Sequence, residues 1–430
     1  IRRQRQMCIR DRVYFNVFDN VRLNRSRIAR NFFSDTDEQN VANGTPTTAD
    51  PANTTRRLTH KWTNELTVKS TITPVKALMI MPMFKWNYSR EKADFHYGPL
   101  DTTAVRTSNT YEPSIFLKWK MSRVRNMDLA FAYNTTVPDL VSTLGYRNTI
   151  DPLHIYMGNP LLRNSHSHTT TYNYHRMWLR KQIVLGFTAS YNKDINPEAT
   201  LYSYNSATGV YTSKPMNVKG GDMWKFAFNY DQGIGFYFRL MNKFALETAK
   251  SYGFLTIVDN NAADAQPELN KQKRLGINNE FEFSYETEKL QLTLFDRLES
   301  NRYRYDDASY NTTPLFNSVG ISANLHFAPF EVFVQLSDDY HSGYATSAMN
   351  GHKLKSMASV SWSFCNNKCM LSLFADDIFN KDIWYESEYS AFQRQEYSTN
   401  YIHHYLNLSF RYRIDAKARN GKSTTISSRR

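Results

Sequence analysis

The sequence predicts an all-β transmembrane protein, an antiparallel up-and-down β-barrel, and three observations carry that prediction. The first is the final strand-like run, Tyr401 to Ile414. There Leu406, Leu408, Phe410, Tyr412 and Ile414 alternate with Asn407, Ser409, Arg411 and Arg413. Successive side chains of a strand point to opposite faces, so one face is apolar and the other polar. The second observation is that this alternation recurs along the whole chain. The third is that short turns alternate with long polar loops. That is the rhythm of outer-membrane barrels, whose turns face the periplasm and whose loops face outside.

Alternation predicts about sixteen strands. They cover 13–23, 58–72, 75–88, 111–121, 127–133, 169–179, 183–191 and 223–230 in the first half. The second half supplies 236–246, 275–285, 290–302, 319–327, 330–340, 354–364, 370–379 and 401–414. The faces stay separate: Val319, Ile321, Ala323, Leu325 and Phe327 alternate with Gly320, Ser322, Asn324 and His326. Short turns are expected at 73–75, 122–126, 180–182, 231–235, 286–289, 328–329 and 365–368. Long loops are expected at 24–57, 89–110, 134–168, 192–222, 247–274, 303–318, 341–353 and 380–400.

Composition agrees. A chain of 430 residues is long for one soluble domain and ordinary for one large barrel. Mean hydropathy is −0.59, yet aromatic residues reach 14%. A barrel wall needs only every second residue apolar, so a low average is expected of it. No run approaches the ~20 apolar residues of a spanning helix; the longest, Ala77 to Phe84, is short and contains Pro82. The net charge of +13 first points to nucleic acid. Much of it sits at the two ends, in Arg2, Arg3, Arg5, Arg10 and Arg12 and in Lys417, Arg419, Lys422, Arg429 and Arg430. With no basic helix, zinc-finger spacing or aromatic RNA-binding signature between them, nucleic acid is set aside as a partner.

Three regions follow. Residues 1–12 resemble translated sequencing adapter, lack an apolar stretch after their arginines and are expected to be disordered. Residues 13–414 form the barrel part. Residues 415–430 have no apolar period and are expected to be a disordered basic tail in the periplasm.

Two segments carry more than a fold. Between Thr136 and His168, Pro138 and Leu140 lead to Asp151-Pro152, then to Gly158-Asn159-Pro160 and Leu162, and end in a polar His/Ser run. Leu371 to Asn380 is a strand closing on Asp377, Phe379 and Asn380. With the aromatic last strand, these segments resemble the outer-membrane β-barrel family of TonB-dependent receptors. The resemblance implies a 22-strand barrel filled by an N-terminal plug, residence in outer-membrane lipid and insertion by the barrel assembly machinery. It also implies uptake of a bulky nutrient, such as an iron chelate, cobalamin, an oligosaccharide or a peptide. An inner-membrane TonB complex would drive that uptake through an N-terminal box. About sixteen strands are readable, so the chain is expected to be the C-terminal part of such a receptor, without plug or box. A passive sixteen-strand porin is the alternative, and a barrel enzyme comes third, with no residues to carry it.

The residues themselves point first to loop building. Pro152 and Pro160 remove backbone donors, and Gly158-Asn159 permits a left-handed turn. Asp377 and Asn380 are placed to satisfy backbone donors where a strand leaves the membrane. Trp384, Tyr385 and Tyr389, in a loop mixing aromatic and charged groups, are the candidate ligand contacts. No cofactor, metal or catalytic residue is expected: His166 and His168 lack companion ligands, and His403 and His404 point to opposite faces. Cys365 and Cys369 flank a short turn, and a disulfide between them stays open.

Overall fold

A computed structural model describes residues 2–9, 12–30, 54–205, 207–258, 268–379, 384–390, 394–399, 402, 404–413, 415–417 and 423–425. Its first strands are β1 (Arg2–Ile9), β2 (Val13–Arg30), β3 (Thr55–Val75), β4 (Leu78–Tyr97), β5 (Leu100–Ser122) and β6 (Arg125–Thr136). Two short strands, β7 (Arg147–Asp151) and β8 (His154–Met157), precede β9 (Ser165–Trp178) and β10 (Ile183–Ile195). A second short pair, β11 (Glu198–Asn205) and β12 (Val210–Asn217), precedes β13 (Asp222–Ile234). Then come β14 (Phe238–Val258), β15 (Glu268–Glu286), β16 (Leu290–Tyr305), β17 (Leu315–Phe327), β18 (Phe330–Ser342), β19 (Gly351–Phe364) and β20 (Cys369–Asp376). Hairpin β21 (Trp384–Tyr389) and β22 (Arg394–Thr399), wall strand β23 (Tyr405–Tyr412) and the small pair β24 (Asp415–Lys417) and β25 (Ser423–Thr425) complete the chain.

One antiparallel wall runs from β2 to β6, through β9 and β10, then from β13 to β20 and on to β23. Each strand pairs with the next in the chain, apart from the short loop strands between them. This is the up-and-down order that the alternation predicts. No pairing joins the β1 edge to the β23 edge among the described residues.

The ladder register keeps every apolar set on one side. Tyr172, Ala189, Phe226, Leu246 and Ile277 share a row, as do Val360, Leu373 and Leu408. The opposite side carries Ser361, Ser372 and Ser409 in one row. A slip of one residue anywhere would move a whole strand's apolar set to the polar side. The large apolar side chains of the wall stand exposed, among them Ile321, Leu373 and Phe410.

Most turns lie where alternation places them, and 328–329 and 365–368 coincide. One expected long loop is absent. Residues 89–110 continue the β4–β5 ladder to a two-residue turn, Gly98-Pro99, where Gly98 has a left-handed φ of 54°. The alternation of Lys92, Asp94 and His96 with Ala93, Phe95 and Tyr97 is a strand signal in a polar setting, and the charged half hid it. At the ends, Arg2–Ile9 pairs with β2 and Asp415–Lys417 pairs with Ser423–Thr425, both in stretches expected to lack structure. An unpaired strand edge templates further pairing, which is the physical reason β1 has a place to bind. Cys365 and Cys369 are free thiols.

The buried apolar cluster lies at the long-loop end and not between wall strands. Ala93, Phe95 and Tyr97 of the extended β4 pack with Leu140 and Val141, with Leu144, Tyr146 and Ile150 against them. This packing positions the first loop.

Candidate functional site

The loop after β6 is built on the tip of the β4–β5 hairpin. Tyr146 meets Phe95 edge-on at 5.0 Å between ring centroids. The Tyr97 hydroxyl accepts the Thr149 amide at 2.6 Å. Asp139 is the anchor on the other side. Its carboxylate accepts two N–H groups of Arg57 at 2.7 and 3.1 Å and the Val141 amide at 3.1 Å. Burial works to raise the Asp139 carboxyl, but Arg57 and the backbone amides outweigh it and hold it below the ordinary range. Burial pushes the Tyr146 hydroxyl up to about 12, with Tyr156 nearby adding to it. This end of the loop therefore stays in one charge state across the physiological range.

The motif residues tie this loop to the next. Asp151 accepts the Leu153 amide at 2.9 Å, and Pro152 occupies the turn between β7 and β8. Proline's fixed φ suits that turn position. Asn159 is 6% exposed. Its side-chain amide donates to the Pro215 carbonyl at 2.8 Å, and its carbonyl oxygen accepts the Leu161 amide at 3.0 Å. Strand β8 runs parallel to β12, and β11 runs parallel to β14, so the two loops form one small sheet above the wall. The expected left-handed turn at Gly158-Asn159 is not found, since neither residue has a positive φ. Gly158 is needed for a different reason: a Cβ there would lie 1.8 Å from the Leu144 carbonyl oxygen. Pro160 is exposed at the turn that follows.

At the other motif, Asp377 is 2% exposed and has a left-handed φ of 42°. The Asp376 carboxylate accepts the Asp377 amide at 3.0 Å. The Asp377 carbonyl hydrogen-bonds His404 Nδ1 at 2.8 Å. Phe379 is exposed, and Asn380 lies outside the described residues.

The candidate contact loop is a hairpin. Trp384 and Tyr385 lie on β21, paired with Thr399 and Ser398 of β22. Tyr389 stacks on Tyr303 of β16, with centroids 4.6 Å apart and planes 23° from parallel, and Arg394 lies over the same ring. Glu396 is the clasp. It accepts the Ala345 amide at 3.2 Å, the Thr346 amide at 3.0 Å and the Thr346 hydroxyl at 2.7 Å, and it pairs with Arg394 at 2.6 Å. The hairpin thus joins the 343–350 loop to the end of β16. Among these partners, Arg394, Glu396, Ala345 and Thr346 carry no mark of their own in the sequence pattern. The one available signal was the strand-like run Arg394-Gln395-Glu396-Tyr397 facing Trp384 to Tyr389 across a short gap.

Glu396 makes the clasp dependent on pH. Burial would raise its carboxyl, but the Thr346 hydroxyl, Arg394 and the two amides bring it from 4.5 down to about 2. A depressed carboxylate contributes stability that is complete above its ordinary value and is lost as pH falls through the folded one. Hydrogen-exchange protection of the Ala345 and Thr346 amides, corrected for intrinsic rate, is expected to drop between pH 4.5 and about 2. Flat protection across that window would mean that Glu396 does not hold the hairpin.

No group of three or more His, Cys, Asp or Glu is placed to hold a metal among the described residues. His166 hydrogen-bonds Thr135 at 3.0 Å and stacks on Tyr133.

The family described as the outer membrane protein beta-barrel family matches residues 87–412. No curated protein matches the chain. Among solved structures, the copper transporter OprC is 10% identical with a TM-score of 0.33, over 93% of this chain and 66% of that one. The ferripyoverdine receptor of the outer membrane of Pseudomonas aeruginosa is 11% identical with a TM-score of 0.29, over 93% of this chain and 64% of that one. The ferric citrate transporter FecA is 10% identical with a TM-score of 0.25, over 94% and 73%. The chain thus spans just under two thirds of the length of the first two.

Proposed function

We propose a transport function from one premise: this chain belongs to the outer membrane protein beta-barrel family. On this reading it is the C-terminal barrel part of a TonB-dependent receptor in the bacterial outer membrane. It takes up a bulky polar nutrient, in the class of iron chelates, cobalamin, oligosaccharides or peptides. A plug and an energy-coupling box elsewhere in the longer protein link it to the TonB complex, and the barrel assembly machinery inserts it.

The observation that supports this reading is the built mouth at the long-loop end. A passive pore has no need of loops tied together by Asn159 and Glu396, whereas a receptor needs a preorganised surface to capture a scarce ligand. The cluster of Tyr303, Tyr389, Arg394 and Glu396 offers stacking faces and charged groups side by side. Such a mixture suits a polar ligand with flat or ring-shaped parts.

The test replaces residues 384–399 with a short Gly/Ser linker in the full-length protein. Ligand binding and uptake are expected to fall at least tenfold while heat-modifiable gel mobility, the sign of an assembled barrel, is unchanged. Unchanged uptake would remove the hairpin from the site. Uptake that persists in cells lacking the TonB complex would overturn the receptor reading in favour of passive diffusion.

A further inference from the structure

The short turn between β19 and β20 holds two thiols that the proposed uptake does not use. Phe364 and Cys369 are the last pair of that ladder, and Cys365 is the first residue beyond it. The Lys368 amide donates to the Cys365 carbonyl at 3.2 Å and closes the turn. This geometry folds Cys365 back towards Cys369, and the two thiols are in hydrogen-bonding contact. Cys365 is exposed, whereas Cys369 is only 7% exposed. Cys369 lies in register with Phe364 and Tyr412. Trp362 stacks on Phe364 at 4.6 Å, and the Phe410 ring lies 6.4 Å from that of Phe364. One thiol thus meets water, and the other stands behind it at the edge of an aromatic patch.

Two further features bear on what this pair can do. Cys365, Asn366 and Asn367 have left-handed φ values of 54°, 54° and 61°. Asparagine tolerates that region, but cysteine has no side-chain amide to compensate, so Cys365 is the strained position. The second feature is what the turn carries. The Lys368 carbonyl accepts the Arg413 amide at 2.8 Å, immediately past the end of β23. The turn therefore anchors the end of that wall strand. Short turns of an outer-membrane barrel face the periplasm, a compartment in which disulfides form and persist.

We propose that Cys365 and Cys369 are a redox latch. A reversible disulfide between them, made by a periplasmic dithiol–disulfide oxidoreductase, fixes the turn and with it the end of β23. Cys365, the accessible thiol, attacks as its thiolate. It bonds to one sulfur of the oxidant's disulfide and releases the other as a thiolate, which takes up a proton. The Cys369 thiol then loses its proton to water, and its sulfur bonds to Cys365 Sγ. That step expels the oxidant's second thiolate, which is protonated in turn. The protein loses two electrons and two protons, and the oxidant's disulfide becomes a dithiol. Because Cys365 is exposed, a reductant can run the same steps backwards. The closed ring is short, so the bond adds little through chain entropy. Its effect is local, on the strained turn and on the Arg413 amide. The inference rests on the barrel's place in the outer membrane and not on what it takes up.

The test uses the full-length protein with Cys8, the remaining cysteine of this sequence, changed to serine. Outer-membrane vesicles are equilibrated with oxidised or reduced glutathione and alkylated, and the peptides carrying residues 365–369 are identified by mass spectrometry. Oxidised glutathione is expected to link the two cysteines to each other, and reduced glutathione to return both to alkylation. In cells lacking the periplasmic thiol oxidase, both should stay open to alkylation. Hydrogen exchange at the Arg413 amide should be about tenfold slower in the oxidised protein than in the reduced one. In Cys365→Ser it should be the same under both conditions. Alkylation of both thiols after oxidised glutathione, in a barrel whose heat-modifiable mobility shows it assembled, would overturn the latch. So would a bond that reduced glutathione leaves intact, a link between two molecules, a pair oxidised without the thiol oxidase, or equal exchange at Arg413 in the two states.

Discussion

Ile321→Arg should cost the barrel about 2–4 kcal/mol and impair its assembly, whereas Ser322→Arg should leave assembly close to wild type. The two residues are neighbours on β17, and only parity separates them. Ile321 stands in register with Leu294 and Leu336, all three apolar and exposed, at mid-height of a central wall strand. In a membrane that row faces lipid, where a guanidinium near the midplane has no water. Ser322 stands with Thr293 and Gln335 on the polar side, where an arginine keeps its hydration. Heat-modifiable mobility and urea unfolding in lipid vesicles measure the difference. Equal or greater damage from Ser322→Arg would overturn the register on which the membrane assignment depends.

Gly158→Ala should unfold the loop sheet while sparing the wall. A Cβ at this position would sit 1.8 Å from the Leu144 carbonyl oxygen and 3.2 Å from the Tyr146 ring. Backbone cannot yield as a flexible side-chain end can, so a cost at or above the usual ~1–3 kcal/mol of overpacking is expected. The hydrogen bonds nearest the clash are the Gly158 amide to the Tyr146 carbonyl at 2.9 Å and the Asn159 amide to the Ser142 carbonyl at 2.7 Å. Losing them frees Asn159 from Pro215 and uncouples the two loops. Limited proteolysis should then cut within 139–163 in an otherwise assembled barrel. Protease resistance equal to the wild type would show that the loop has another packing open to it.

The sequence alone determined the wall. A period of two is a local property, readable without knowing which strand lies beside which, and it settled class, approximate strand number and the apolar face of each strand. It also marked Asp151, Pro152, Asn159 and Tyr389 as residues of interest, because turn formers and exposed aromatics stand out against a regular pattern. What the tertiary structure decided are the pairings between distant segments. That β4 and β5 continue to Gly98 depends on Leu140 and Val141, far along the chain, covering Ala93, Phe95 and Tyr97. That Gly158 is needed for closeness and not for handedness depends on the position of the Leu144 carbonyl. Glu396 became a clasp only when Thr346, some fifty residues earlier, was found beside it. Periodicity reports which face a residue takes, and only packing reports what it meets there.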